Sequence, residues 1–236
     1  MTRIVRQKTS AKLCLGVAIV VSFILNQRCE KNPTESTNPI IVKDIDGNTY
    51  NTVKVGKQLW MSENLKVIHY RNGDLIPCVI DSSIWNHLTS GAYCTYNNDE
   101  INVGIYGRLY NWYTVDDNRK LAPAGWHVPS EEEFQVLVDN LGGKDKAGAK
   151  LKETGTAHWK TTNDGATNES GFTALPGGLR SENDEFYQIG IMAIFWSSTN
   201  WSYTHASGLA LLNSYSGVLQ GGYTKQMGFS VRCIKD

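Results

Sequence analysis

The stretch Gly125–Gly143, GWHVPSEEEFQVLVDNLGG, constrains the fold of this chain more than any other. Pro129 holds Val128 in extended geometry, because a proline disfavours the helical region for the residue before it. Ser130 stands where an N-cap belongs and Glu133 completes a capping box three residues on. Glu131, Glu132 and Glu133 crowd the first turn, where the positive end of the helix dipole favours carboxylates. Phe134, Leu137, Val138 and Leu141 recur at i, i+3, i+4 and i+7, one apolar stripe for a core. Gly142 and Gly143 supply the left-handed stop. The spacing predicts a structural helix, and nothing on it reads as catalytic.

The N-terminus predicts an address. Arg3, Arg6, Lys8 and Lys12 precede any acidic residue, and Leu13–Leu25 is an apolar run broken only by Gly16 and Ser22. That run is short of the ~20 residues a membrane span needs and matches a signal-peptide hydrophobic region. A retained anchor helix is the alternative. Cys29 follows four residues later and leads into the polar stretch EKNPTESTNP. Basic flank, apolar run, cysteine and polar tether together resemble a bacterial lipoprotein precursor, with Cys29 as the lipidation site. Gln27-Arg28 departs from the small residue usual before such a cysteine, and plain secretion is the competing reading. Residues 1–28 are thus expected to be a lipoprotein-type signal peptide, 29–40 a tether and 41–236 the folded domain. The expected location is the cell envelope, at an outer membrane or cell surface, with membrane contact through the lipid anchor.

Loss of residues 1–28 removes five of the 23 basic residues and none of the 23 acidic ones, leaving a net charge of −5. Nucleic acid is therefore not an expected partner. Cys78, Cys94 and Cys233 remain in the domain. Export permits a disulfide, an odd count leaves one thiol over, and three pairings are open. Their spacing is not that of a zinc site.

Along the chain, Asp46-Gly47 signals a hairpin turn between two short strands, and Gln58–Met61 returns as another. Ala147–Glu153 reads as a second, short helix. Ile191–Trp196 is an apolar strand, and Leu209–Leu212 and Val218–Leu219 flank Ser214–Gly217 as a hairpin. Met227, Phe229, Val231 and Cys233 alternate with Gly228, Ser230, Arg232 and Ile234, the period of a half-buried terminal strand. Two helices amid short strands and long loops argue one α+β domain with a small, mostly antiparallel sheet.

Several ordered motifs resemble one family. They are Asp44–Tyr50 (DIDGNTY), Gln58–Leu65 (QLWMSENL), Tyr106–Trp112 (YGRLYNW), Gly125–Ser130 (GWHVPS), Thr167–Phe172 (TNESGF) running into Ala174–Gly178 (ALPGG), Trp196–Ser198 (WSS) and Gly228–Cys233 (GFSVRC). The chain is similar to the Fibrobacter succinogenes major paralogous domain, found in exported proteins and lipoproteins of Fibrobacter and Bacteroidetes-type bacteria. The resemblance implies a C-type-lectin-like fold, distantly similar to formylglycine-generating enzymes and to phage-type variable binding proteins. It brings no established activity. It also implies a Cys94–Cys233 disulfide, with Cys78 as the odd thiol.

The search for a site narrows by elimination. Asp44–Asn48 begins like a calcium loop, but the spacing of a full loop fails and a hairpin turn accounts for it. Neither Glu-Pro-Asn nor Gln-Pro-Asp, the calcium signatures of sugar-binding lectins, occurs. The cysteines do not reproduce a copper-holding pair, no Gly-Lys-Ser/Thr phosphate loop is present, and no Gly-x-Ser-x-Gly nucleophile accompanies His127, His158 or His205. No enzyme activity, cofactor or metal is expected, and a relative of formylglycine-generating oxidases is the remote alternative. Phe195–His205, FWSSTNWSYTH, is the better candidate. Trp201 and Tyr203 offer aromatic faces, Asn200 and His205 offer hydrogen bonds, and sugars take both. Trp196 reads as core. The expected function is a binding module for carbohydrate or a surface protein. A passive structural or adhesive surface protein is the alternative.

Overall fold

The computed structural model describes residues 40–183 and 185–236; the expected signal segment, the expected lipidation site Cys29 and the expected tether up to residue 39 lie outside the described residues. The described chain is mixed helix and sheet, with small antiparallel sheets joined by long loops.

The first of the two predicted helices, Glu131–Asn140, forms as its sequence predicts, but three one-turn helices that the two-helix expectation lacks, Ser82–Trp85, Val103–Tyr106 and Trp112–Val115, precede it. Ser130 Oγ accepts from the Glu133 amide at 3.2 Å, and the Glu133 carboxylate accepts from the Ser130 amide at 2.8 Å. Phe134, Leu137 and Val138 are buried, and Trp60 stacks on Phe134 with ring centroids 5.5 Å apart. The second predicted helix is Lys144–Leu151, starting three residues before the expected Ala147. Its first turn is exposed and polar, so an apolar-stripe reading does not see it. Lys152 then leaves the helix in extended geometry and buries its side chain. Gly148 lies so close to the turn after Leu212 that a Cβ there would stand 1.9 Å from the Gly217 carbonyl oxygen.

Strands Thr52–Val55, Gln58–Met61, Ile234–Lys235 and Trp126–His127 make a four-stranded antiparallel sheet in that spatial order. Met192–Asn200, His205–Leu212 and Leu219–Thr224 make a three-stranded meander. The expected 209–219 hairpin is therefore present with longer strands. Val42–Lys43 pairs with Thr49–Tyr50 around the turn at Gly47. There the Asp44 carboxylate accepts from the Asp46 and Asn48 amides, from Asn48 Nδ2 and from Tyr50 Oη, which confirms the hairpin reading of that motif.

The C-terminal segment corrects the expectation of a half-buried strand. Phe229, Val231 and Cys233 are buried, but so are Ser230 and Arg232. Only Ile234–Lys235 is a strand. Residues 228–233 instead run through the interior. The Tyr110 and Phe229 amides exchange bonds with each other's carbonyls, Trp196 N donates to Ser230 O, Leu65 N to Val231 O and Met61 N to Cys233 O. Alternation fails as a burial signal here because both faces are covered.

Arg232 is the hub of this crossing. Its Nε and Nη2 donate to Asn64 Oδ1 at 3.2 and 2.6 Å, and its Nη1 donates to Phe172 O. The guanidinium carbon lies 4.2 Å from the Phe172 ring centroid and 5.2 Å from that of Phe195. Asn64 in turn donates to Tyr106 O and Ser230 Oγ. Burial pulls the Arg232 pKa down to about 9, against the opposing pull of Glu63. Lys152 is handled the same way, its ammonium donating to the carbonyls of Asp164, Leu212 and Tyr215 at 3.1, 3.0 and 3.0 Å. Four of the motifs that carry the family resemblance thus meet at Arg232.

The expected Cys94–Cys233 disulfide is not formed. Cys233 is a free thiol buried with Tyr110, Val231 and their neighbours, and burial pushes its pKa up. Cys94 packs in a separate cluster with Trp85, Tyr96 and Leu109. Cys78 is exposed.

Candidate functional site: the 200–205 hairpin tip

The first two strands of the meander fix where the tip points. Pairing runs from Met192↔Leu212 to Trp196↔Gly208 and then skips to Asn200↔Ala206. The extra residues in one strand make a bulge, which bends the strand and re-aims the side chains beyond it. The bulge is tied to the Glu131–Asn140 helix. Ser198 N donates to Pro129 O at 2.8 Å, and Thr199 Oγ1 accepts the Glu131 amide, one of the unpaired donors of the helix start, at 2.9 Å.

Beyond the bulge, Trp201–His205 closes on itself. The Trp201 and Ser202 amides both donate to His205 O, and Ser202 Oγ accepts from the amides of Thr204 and His205. Trp201 Nε1 donates to Glu131 Oε2 at 2.7 Å. The indole lies against Gly222, where a Cβ would stand 2.4 Å from the ring, so only glycine admits it. Held on one face and at its nitrogen, Trp201 is still 49% exposed, and Tyr203 is 94% exposed. The other six tryptophans are buried. Asn200 and His205 are also exposed, and Thr204 Oγ1 lies 2.8 Å from His205 Nδ1.

All four expected residues, Asn200, Trp201, Tyr203 and His205, therefore lie on one solvent-facing tip. Trp196 is core: it stacks on Phe229 at 4.2 Å and donates its indole N–H to Tyr110 O at 2.8 Å. Tyr113 and Gln226 extend the patch. Burial raises the Tyr113 pKa and the neighbouring Tyr203 adds to the rise, while Gln226 Nε2 donates to Tyr113 Oη at 3.2 Å. No local sequence signal marks Tyr113, Gln226 or Glu131 for this role, because each comes from a separate part of the chain.

His127 and His158, the other two histidines singled out in the sequence, are held by carboxylates. His127 bridges Asp236 Oδ1 at 2.7 Å through Nδ1 and Glu133 at 2.8 Å through Nε2. Burial opposes its charged form, but the two carboxylates outweigh that and raise its pKa. His158 Nδ1 lies 2.9 Å from both oxygens of Glu153. Among the described residues no group of three or more His, Cys, Asp or Glu could hold a metal ion, and no helix is long and apolar enough to cross a membrane.

Three hollows adjoin Arg71. One of about 240 Å³ is lined by Lys43, Asp44, Arg71 and Leu121 among others, and one of about 210 Å³ by Arg71, Lys120, His127 and Ser198 among others. The third, about 550 Å³ and open to solvent, is lined by Arg71, Asn72, Asn118, Arg119 and Lys120.

No curated protein and no solved structure matches the chain. A family model does, over residues 53–235, a span that takes in the Arg232 hub and the 200–205 tip alike. On that match the chain belongs to the Fibrobacter succinogenes major domain family.

Proposed function

We propose that this is an exported, lipid-anchored surface protein whose domain is a non-catalytic binding module, reading carbohydrate or a surface protein through the 200–205 tip. The observation that carries the reading is Trp201. It is the one exposed tryptophan among seven, pinned by Glu131 and seated on Gly222 with part of its ring in solvent. A fixed aromatic face with exposed amide, hydroxyl and imidazole groups around it suits the C–H face and hydroxyls of a sugar ring. Pre-organisation of that face lowers the ordering cost of binding.

The finer fold assignment, C-type-lectin-like, belongs to the same proposal. Its support is that the strands at the two ends of the domain lie side by side in one sheet, with Ile234 paired to Trp60, while two helices flank the core. Export and the lipid at Cys29 rest on the order of basic flank, apolar run, cysteine and tether.

A glycan array and a pull-down against cell-surface proteins, run with the full chain and with Tyr203→Ala, test the binding role. Tyr203 is almost wholly exposed, so its removal leaves the fold intact. Ligands retained by the wild type and weakened at least about tenfold in the variant, a loss of ~1.4 kcal/mol, support the reading. No ligand in either format leaves the passive structural role in its place.

A further inference from the structure

Residues 40–236 carry 17 basic and 21 acidic side chains, yet the lining of the largest of these three hollows holds three cations and two amides, with the carboxylates of Asp74 and Asp117 set behind Asn72 and Arg119. Those three cations are not equivalent. Arg119 is neutralised: it forks onto Asp117 at 2.9 and 2.7 Å, reaches Asp74 at 3.4 Å and lies 4.0 Å above the Tyr70 ring. Arg71 donates only to carbonyls, to Ala122 O and Pro123 O at 2.8 Å and to Trp126 O at 2.7 Å. Those bonds fix its fork but leave its charge without a carboxylate, and its Nη1 makes no hydrogen bond among the described residues. Lys120 is exposed and makes no ion pair among the described residues. Its backbone sits at φ +63°, a left-handed conformation that is unfavourable for a residue with a Cβ.

We propose that this hollow binds an oxyanion, a carboxylate or phosphate group, between Lys120, the free edge of Arg71 and the amide of Asn118; Asn72 is spent on Asp74, its Nδ2 donating to Asp74 Oδ2 and its Oδ1 accepting the Asp74 amide, each at 3.0 Å. Two uncompensated cations beside an open concavity attract an anion, and a guanidinium fixed by carbonyls presents its remaining donors without further ordering. The strained Lys120 backbone fits this role: the loop keeps a conformation that costs stability and places an unpaired ammonium at the rim. The site is separate from the 200–205 tip and shares no residue with it.

Titration calorimetry of the full chain with a galacturonate trisaccharide, a neutral galactose trisaccharide and inorganic phosphate tests the proposal. The expected result is binding of the galacturonate trisaccharide, of phosphate, or of both, and none of the neutral sugar. Affinity is expected to fall at least about tenfold in Lys120→Gln and to fall again in 0.5 M salt, where screening shortens to a few ångströms. The uronate and phosphate arms show which source of oxyanion the site takes. Lys120→Gly is expected to lose binding as Lys120→Gln does while the fold stays intact, because glycine adopts the left-handed backbone there without strain. Binding of neither anion, equal binding of the neutral sugar, or binding that Lys120→Gln leaves unchanged would overturn the proposal. So would anion binding lost in Tyr203→Ala, since that places the anion at the tip.

Discussion

Replacing Arg232 by methionine removes the guanidinium at the crossing of the chain and keeps most of the stem that packs on Phe172 and Phe195. Two acceptors, Asn64 Oδ1 and Phe172 O, then lose their donors in the interior. Each orphaned buried acceptor costs ~1–3 kcal/mol. Asn64 has no inexpensive way to turn towards another donor, because its amide nitrogen holds Tyr106 O and Ser230 Oγ. Against this stands a gain. The Arg232 charge is fully buried and its pKa is pulled down by desolvation, so removing it releases part of an unfavourable term. The balance is a loss of roughly 3 kcal/mol, from two orphaned acceptors at the middle of their range less that relief. For a domain of this size the unfolding midpoint falls by roughly 6–12 °C. Urea unfolding of the full chain followed by far-UV circular dichroism measures it, with an unchanged m value confirming that only stability moved. Arg232→Lys should recover little, since one ammonium cannot fork onto Asn64 and still reach Phe172. An Arg232→Met protein within about 0.5 kcal/mol of wild type, the scatter of neutral surface substitutions, refutes the hub.

Two further outcomes follow from the same packing. Gly148→Ala, which in an open helix stabilises by ~0.5–1 kcal/mol, should destabilise by about 2 kcal/mol or more, because its methyl group meets the Gly217 carbonyl; calorimetric unfolding reads the sign directly. His127 gains Asp236 and Glu133 on folding and its pKa rises. A group raised in the folded state contributes stability that is complete below its unfolded value of 6.5 and is lost as pH climbs through the raised value. The wild-type midpoint should therefore fall over that window relative to His127→Gln, and parallel pH profiles of the two proteins contradict the bridge.

What the sequence made legible was local. The Ser130–Glu133 box and the apolar stripe behind it place a helix within a few residues, because both signals lie inside one turn. The Asp44–Gly47 turn is legible for the same reason. The C-terminal segment was not, since what buries Ser230 and Arg232 is contact with residues 64, 172 and 196, far off in sequence. Nor is there a local cue that Cys94 and Cys233 settle in different clusters. At the candidate site, the run from Asn200 to His205 reads as exposed from its own polarity. The parts that pin it are Glu131, some 70 positions earlier, and Gly222 on the neighbouring strand. The cationic hollow was illegible too: Arg71 and Lys120 are nearly 50 positions apart, and the net charge of the chain points the other way.

Iodide quenching of tryptophan fluorescence tests most directly whether the 200–205 tip is the ligand-binding surface. Six tryptophans are buried and only Trp201 meets solvent, so the quenchable fraction belongs to one side chain and disappears in Trp201→Phe. With a sugar or protein ligand taken from the array or pull-down and present at saturation, wild-type Trp201 should become shielded and the quenchable fraction should collapse. An unchanged quenching curve with the ligand demonstrably bound contradicts it.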